Sequence, residues 1–403
     1  MNSLSVKNVR LYLLIIGFMY AVLGFSIGIN AYFIPFVQEA FALNTATSYL
    51  IMTATFSAYV VFAIPSARVI KRIGYKKSIC TSFMILAIGF SLVALSASKA
   101  SFAMFLVALF ILGMAQTLLT DSVNSYVTIL GPPSSAAKRI SIMGIADKLA
   151  LAGASFILAL FLDLQHVDLD HIEVPFFSIA GLAILVGILV FLSPLPEINA
   201  PGEVEEPQST NLDFQVYGNS KSSIFQMPHL YLGAMAIFFD VGVEIIALGS
   251  INDYAKVLGL DHPEHYVWYT TLGMVMGYLC GVSFIPKYIS QRQGLVACTV
   301  LGIMITFVLL FVPAGISIYF VAALGFANSL LWPTIFPLAL SDLGRFTKQG
   351  ASILVMGIIG GAVLPLLFGF MADGYGHQLA YIICIPAYLY LLFYAIWGSK
   401  LRP

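Results

Sequence analysis

Residues 228–249 read PHLYLGAMAIFFDVGVEIIALG. A bilayer-crossing helix needs roughly 20 mainly apolar residues, and this run has that length and character. It also carries Asp240 and Glu244 near its middle. Residues four apart on a helix lie on one face, so the two carboxylates share a stripe. If the run crosses a membrane, each charge must be matched by a wet cavity, a partner or a proton.

The whole chain has the same character. Of its 403 residues 60% are hydrophobic and 9% are charged, against about 25% charged in ordinary soluble domains. No soluble fold of this length buries so much apolar surface, so the chain is expected to be an all-α membrane protein. The net charge is zero, which points to neither nucleic acid nor an acidic partner. Cys80, Cys280, Cys298 and Cys384 fall in apolar runs without metal-type spacing and read as small packing residues. The N-terminal MNSLSVKNVR runs straight into apolar sequence without a small-residue cleavage site, so the first span is expected to be retained.

Twelve runs have the length of a span, at about 9–36, 45–70, 77–97, 101–130, 139–163, 174–194, 228–253, 265–287, 294–313, 315–340, 349–373 and 378–398. An even count places both termini on one side. Lys7, Arg10, Arg68, Lys71, Arg72, Lys76, Lys77, Lys138, Arg139, Lys221, Lys287, Arg292, Arg345, Lys348, Lys400 and Arg402 then share that side, sixteen of the nineteen basic residues. Lys99 and Lys256 lie opposite, and Lys148 lies within a span. By the positive-inside rule the sixteen mark the cytoplasm, with both termini there.

One long polar break, 195–227, is rich in Pro, Ser, Asn and acids and reads as a cytoplasmic linker. It separates a six-helix half at 1–194 from a second at 228–403. The halves echo one another. Arg139 opens a span that ends at Asp163, and Lys348 opens one that ends at Asp373, separations of 24 and 25 residues. Two six-span halves joined in this way resemble a major-facilitator transporter, with a solute site near the midplane between the halves.

Five ionisable residues stay well inside spans: Asp121, Asp147, Lys148, Asp240 and Glu244. Each would cost at least ~2.5–3.5 kcal/mol at the centre of a lipid-facing helix. Asp240 lies about twelve residues into its span, ~18 Å deep, and Asp147 and Lys148 about eight residues in, ~12 Å. Four acids against one base leave three excess negatives, which calls for protonated carboxylates or an entering cation. Asp121, Asp147, Asp240 and Glu244 are therefore candidates for H+ or Na+ coupling. Asp240, Glu244 and Lys148 are also candidates for contact with solute. The alternative for Lys148 is a static pair with Asp121 or Asp147. Lys148 and Asp147 are adjacent and point about 100° apart, so contact between them is not required by spacing.

Asn30, Gln116, Asn124 and Asn328 supply neutral hydrogen-bonding groups in or near spans, and Trp332 lies one helical turn beyond Asn328. Amides and carboxylates suit the hydroxyls of a sugar, and an aromatic face suits the apolar side of its ring. Tyr20, Phe239 and Phe336 are further aromatic candidates. ARVIKRIGYKK (67–77) places Arg68, Arg72 and Gly74 in the loop after the second span, where they read as a gating loop or as topology charge. The acidic, His-bearing DLQHVDLDHIEV (163–174) reads as a solvated outer loop, and no metal or cofactor site is expected. GIIGG (357–361), Pro365, Gly24 and Gly28 suggest close helix packing and bending. The chain shows no HExxH, P-loop or nucleophile elbow, so no enzyme is expected.

NSYVTILGP (124–132), FFDVGVEIIALGSINDYA (238–255), WPTIFPLALSDLG (332–344) and GASILVMGIIGGAVLPLLFGFMADGYG (350–376) resemble the fucose/galactose/glucose–proton symporter group of the major facilitators, in order and in spacing. The resemblance runs from the first span to the eleventh and is strongest over 325–376. It implies a twelve-helix fold, alternating access, a sugar solute and a coupling proton. Members of that group carry an Asn-Asp pair in the first span. Here Asn30 matches, and Ala31 stands at the Asp. The group's Glu in the fourth span falls on Thr120, next to Asp121, and an Asn in the fifth falls on Asp147. Glu244 occupies a Gln or Glu position, and Asp240 a position where an aromatic is common. The loop at 67–77 keeps the basic cluster and Gly74 of the facilitators' Gly-Asp-Arg-Gly-Arg pattern without its Asp.

Together these features predict a monomeric secondary transporter in the plasma membrane, the inner membrane of a bacterium, with the lipid bilayer as its surroundings and a sugar or similar small polar solute moved with H+. Na+ coupling, transport or export of a charged organic solute, and a non-transporting sensor remain the alternatives.

Overall fold

The computed structural model describes residues 6–40, 45–159, 172–200, 203 and 217–401, with the side chains of 6–8, 30–50, 52, 155–159 and 264 left aside. Among the described residues the regular structure is entirely helical. The order is α1 (Val6–Ala40), α2 (Thr45–Val61), α3 (Ala63–Ser98), α4 (Phe102–Ile129), α5 (Ala136–Ala159) and α6 (Glu173–Leu192). The chain then gives α7 (Pro228–Val257), α8 (Tyr266–Phe284), α9 (Gln291–Phe311), α10 (Ala314–Asn328), α11 (Leu331–Leu340), α12 (Thr347–Met356), α13 (Gly360–Tyr375), α14 (His377–Ala380) and α15 (Cys384–Ile396).

Ten helical stretches among the described residues are long and apolar enough to cross a membrane. They become twelve crossings for local reasons. Gly74, at φ 81° and ψ 174°, breaks the 36-residue α3, so its first part continues α2 and its second part is a separate span. The 24-residue α5, which carries Lys138, Arg139, Asp147 and Lys148, supplies the fifth. α10 and α11 share one span, as do α12 and α13. The outward surface is apolar: Leu182, Leu185, Leu189 and Leu192, spaced as one face of α6, are each 50% exposed or more. A water-soluble helix would turn that stripe inward; facing hydrocarbon, it needs no cover.

The contacts form two compact units, Met1–Tyr126 with Ala146–Ile198, and Val127–Ile145 with Asn199–Pro403. In the first, α3 packs along α6, and Gly24 of α1 lies against the main-chain carbonyl of Asp147, where any Cβ would collide. In the second, α7 touches α8, α10, α11, α12, α13 and α15, and Gly360 of α13 lies against the carbonyl of Phe238 in the same way. Without a hydrophobic force between helices in lipid, small residues that let backbones approach are what hold such a bundle. The four cysteines are free.

Basic side chains close several helix ends. The last carbonyls of a helix lack intrahelical donors, and a cation there also offsets the dipole. Lys76 Nζ donates to the Ser193 carbonyl at the end of α6 at 2.7 Å. Arg292, from α9, donates to the Ala395 and Ile396 carbonyls at the end of α15 at 2.8 and 3.3 Å. The third span thus caps the sixth as the ninth caps the twelfth, and the two contacts occupy matching places in the repeat. Arg139 donates to the carbonyls of Val127 and Thr128 at 2.9 Å each and of Pro132 at 3.0 Å, sealing α4 and its turn into α5.

Candidate functional site

In the first unit α4 is the polar helix. Gln116, Thr120, Asp121 and Asn124 sit on successive turns, and Gln116 and Asn124 are each 1% exposed. Gln116 Nε2 donates to Ser26 Oγ of α1 at 2.8 Å, and its Oε1 accepts from the Tyr59 hydroxyl of α2 at 3.3 Å. Asn124 Oδ1 accepts from the Tyr20 hydroxyl of α1 at 2.6 Å, and its Nδ2 donates to the Thr120 carbonyl at 2.9 Å. Asp121 is fully buried and accepts from Ser66 Oγ, on the first part of α3, at 2.6 Å. A buried amide must satisfy both ends, and these do so by joining α4 to α1 and α2.

Asp147 and Lys148 lie on α5. Their side chains meet at 3.2 Å and are each 13% exposed. Adjacent side chains on a helix leave the axis about 100° apart; here the long Lys stem folds back across that angle to its neighbour. Of the alternatives for Lys148 left open by spacing, this structure shows the pair with Asp147. The Asp147 main chain is held by the close crossing with Gly24.

In the second unit the acids sit on α7, the helix most surrounded by others. Asp240 is 0% exposed and Glu244 8%. Asn328, the last residue of α10, links this region together. Its Nδ2 donates to the Val243 carbonyl of α7 at 3.3 Å, and its Oδ1 accepts from the Tyr388 hydroxyl of α15 at 2.5 Å. Trp332, half-buried at the start of α11, stacks on Phe336 with centroids 5.6 Å apart. Phe239 packs on Tyr390 at 4.9 Å.

The expected gating loop at 67–77 lies within α3 and is helical except at Gly74; Arg68 and Arg72 are exposed on it, whereas Gly74 is half-buried beneath Glu197. Residues 163–171 of the acidic outer loop and the side chain of Asn30 lie outside the described residues. Spacing gave no sign of Ser66, Tyr59, Tyr388 or Glu197, because each finds its partner 55 or more positions away and none stands out in an apolar or mixed run.

Membrane-crossing helices that hold acids and amides among the described residues of their interior have the make-up of a membrane transporter. The chain belongs to the Major Facilitator Superfamily, whose family model matches residues 16–358. It is 33% identical to the glucose/galactose transporter of Brucella abortus, over 98% of this chain and 96% of that one. It is 24% identical to the L-fucose-proton symporter of Escherichia coli, over 87% and 84%. The solved structure of FucP, a facilitator in the outward conformation, matches with a TM-score of 0.81 at 22% identity, covering 97% of this chain and 99% of that chain. The protein is thus a multi-pass integral membrane protein of the inner membrane.

Proposed function

We propose that the protein is a sugar–proton symporter of the glucose and galactose type, working by alternating access. One observation carries the reading: two carboxylates one turn apart, both buried, on a helix that crosses the bilayer. Like charges at that spacing repel, and a positive ion taken up between them relieves the repulsion, so the pair is suited to taking up such an ion and giving it back. The names of the relatives support the solute class and the coupling proton.

Asp240 and Glu244 bind the cation or the solute hydroxyls. Asp121 and Asp147 handle protons, and protonation of Asp147 releases Lys148 toward solute. Trp332 offers its ring face to the sugar, with Asn30 as a further hydrogen-bonding group. Gln116, Asn124 and Asn328 hold α1, α2, α7 and α15 in register around these groups.

The test uses purified protein in proteoliposomes, with labelled D-glucose and D-galactose and separately imposed pH and Na+ gradients. Concentrative uptake should follow the pH gradient. Asp240→Asn and Glu244→Gln should each lose accumulation while keeping sugar exchange, since exchange needs no net ion movement. Uptake driven by Na+ alone, or variants that accumulate as well as the parent, would overturn the proposal. The Lys148–Asp147 pair favours one second reading, a charged organic solute. A panel of labelled organic acids and amines in the same vesicles separates the two.

A further inference from the structure

The residues that open the fifth and eleventh spans hold matching places in chain order. Arg139 stands 24 residues before Asp163, and Lys348 25 before Asp373. Each follows a turn out of the preceding span, whose last carbonyls need donors from outside their own helix. In the first half Arg139 supplies them, at Val127, Thr128 and Pro132. In the second half the donors come from elsewhere. His229 Nε2, in the tautomer protonated there, donates to the Ser341 carbonyl at 3.1 Å, and the Gly218 amide donates to the Asp342 carbonyl at 2.8 Å.

This second turn, from α11 into α12, has to be held. Asp342 and Gly344 are both left-handed, at φ 61° and 53°, and a side chain adopts that conformation only where its surroundings fix it. Lys348 also sits on the first turn of α12, where the helix dipole disfavours a cation.

Two pieces of the stretch that reads as a linker meet these needs. At one, Glu203 Oε1 lies 2.9 Å from Lys348 Nζ, with the side chains only 6% and 13% exposed, and Lys348 Nζ donates to Asn199 Oδ1 at 3.4 Å. Glu203 Oε2 accepts from the Ala200 amide at 2.6 Å, and the Glu203 amide donates to the Ala200 carbonyl at 3.0 Å, which fixes the carboxylate. At the other, Asn219 Oδ1 accepts from the Arg345 amide at 3.0 Å, and the Arg345 guanidinium donates to the Lys221 carbonyl at 2.5 Å. Gly218 is buried so closely against the turn that a Cβ on it would run into the Leu343 carbonyl.

We propose that residues 199, 200, 203 and 217–221 are a clasp built into the second half, not a tether: they take the place that Arg139 fills in the first half, and they stay shut while the transporter turns over. All of them, and the turn they hold, lie in the one contact unit that contains Asn199–Pro403. Alternating access moves such units largely as rigid bodies, so contacts inside one persist.

Three measurements on the full-length protein test this. In hydrogen exchange, Glu203→Ala should speed the Ala200 amide, and Asn219→Ala the Arg345 amide, about tenfold or more, because a bonded amide exchanges through opening. Glu203→Lys and Lys348→Glu should each lower the melting temperature by several degrees, and the double variant should return to within about two degrees of the parent, since the two residues act on one another. Unchanged exchange, or a double variant no better than the poorer single, overturns the clasp.

The third measurement asks whether it stays shut. The contact of Asn219 with the Arg345 main chain brings these residues within disulfide reach. With Cys80, Cys280, Cys298 and Cys384 replaced by Ala, the pair Asn219→Cys and Arg345→Cys should cross-link with copper–phenanthroline in proteoliposomes. Turnover of labelled D-galactose should stay within about twofold of the reduced form. Failure to cross-link, or a loss of turnover that dithiothreitol reverses, rejects a shut clasp. This last arm rests on the sugar reading. A parent protein that moves neither sugar sinks that reading alone, and wherever the reduced form moves no sugar the exchange and melting arms decide the clasp.

Discussion

At the scale of single residues, the buried polar groups fall into two kinds. Gln116, Asn124 and Asn328 have bonds at both ends of the amide. Asp121, Asp147, Asp240 and Glu244 are groups whose charge can change. The first kind specifies geometry; to the second the proposed function assigns the movement of charge. Removing one end of a frame bond leaves the other partner buried, at a cost of about 1–3 kcal/mol. Tyr388→Phe should therefore lower the melting temperature of the detergent-solubilised protein by several degrees and leave D-galactose KM nearly unchanged, with Asn328→Ala more severe because it frees two partners. Lys148→Ala is the contrasting case. It removes the ion pair with Asp147, so accumulation of D-galactose should fall while the melting temperature stays nearly unchanged; accumulation equal to that of the parent would argue against the role proposed for the pair.

At the scale of elements, the joints explain what charge counting could not. The basic residues that set the expected orientation are also structural: Lys76, Arg139 and Arg292 each hold helix-terminal carbonyls. Arg292→Gln should loosen α15 where it meets α9 and destabilise the protein by about 1.5–3 kcal/mol, read as a lower melting temperature. Lys287, also basic and on the same side by the sequence reading, should be replaceable by Gln at little cost. The glycine crossings are stricter. Gly24→Val and Gly360→Val put side chains into the carbonyls of Asp147 and Phe238, so both should sharply reduce the monodisperse fraction on size-exclusion chromatography. Gly153, with open space around it, should accept Ala.

At the scale of the whole molecule, each unit carries its own acids, Asp121 and Asp147 in the first and Asp240 and Glu244 in the second, and in the first Lys148 pairs with Asp147. Collapsing the pH gradient with a protonophore should abolish sugar accumulation at constant Na+, and an imposed inward proton gradient should restore it. The split of the chain is also instructive. Residues 127–145, the turn from α4 into α5, belong by contact to the second unit, held there by Gln291, which accepts from the Ala137 amide at 3.0 Å and donates to the Pro133 carbonyl at 2.8 Å. Chain order alone places that hairpin with the first six spans.

Composition, run length and Lys/Arg placement were enough to reveal a helical membrane protein with twelve crossings and its repeat, because the bilayer imposes length and polarity on every span separately. The same logic exposed Asp121, Asp147, Lys148, Asp240 and Glu244, since a charge in an apolar run is costly wherever it points. Partners were another matter. That Lys148 meets Asp147, that Asn328 bridges Val243 and Tyr388, and that Glu197 rests on Gly74 depended on how distant segments fold together, and a Ser, Tyr or linker Glu carries no mark of its future neighbour. Local sequence sets the solvation cost of each group; only tertiary packing determines which other group offsets it.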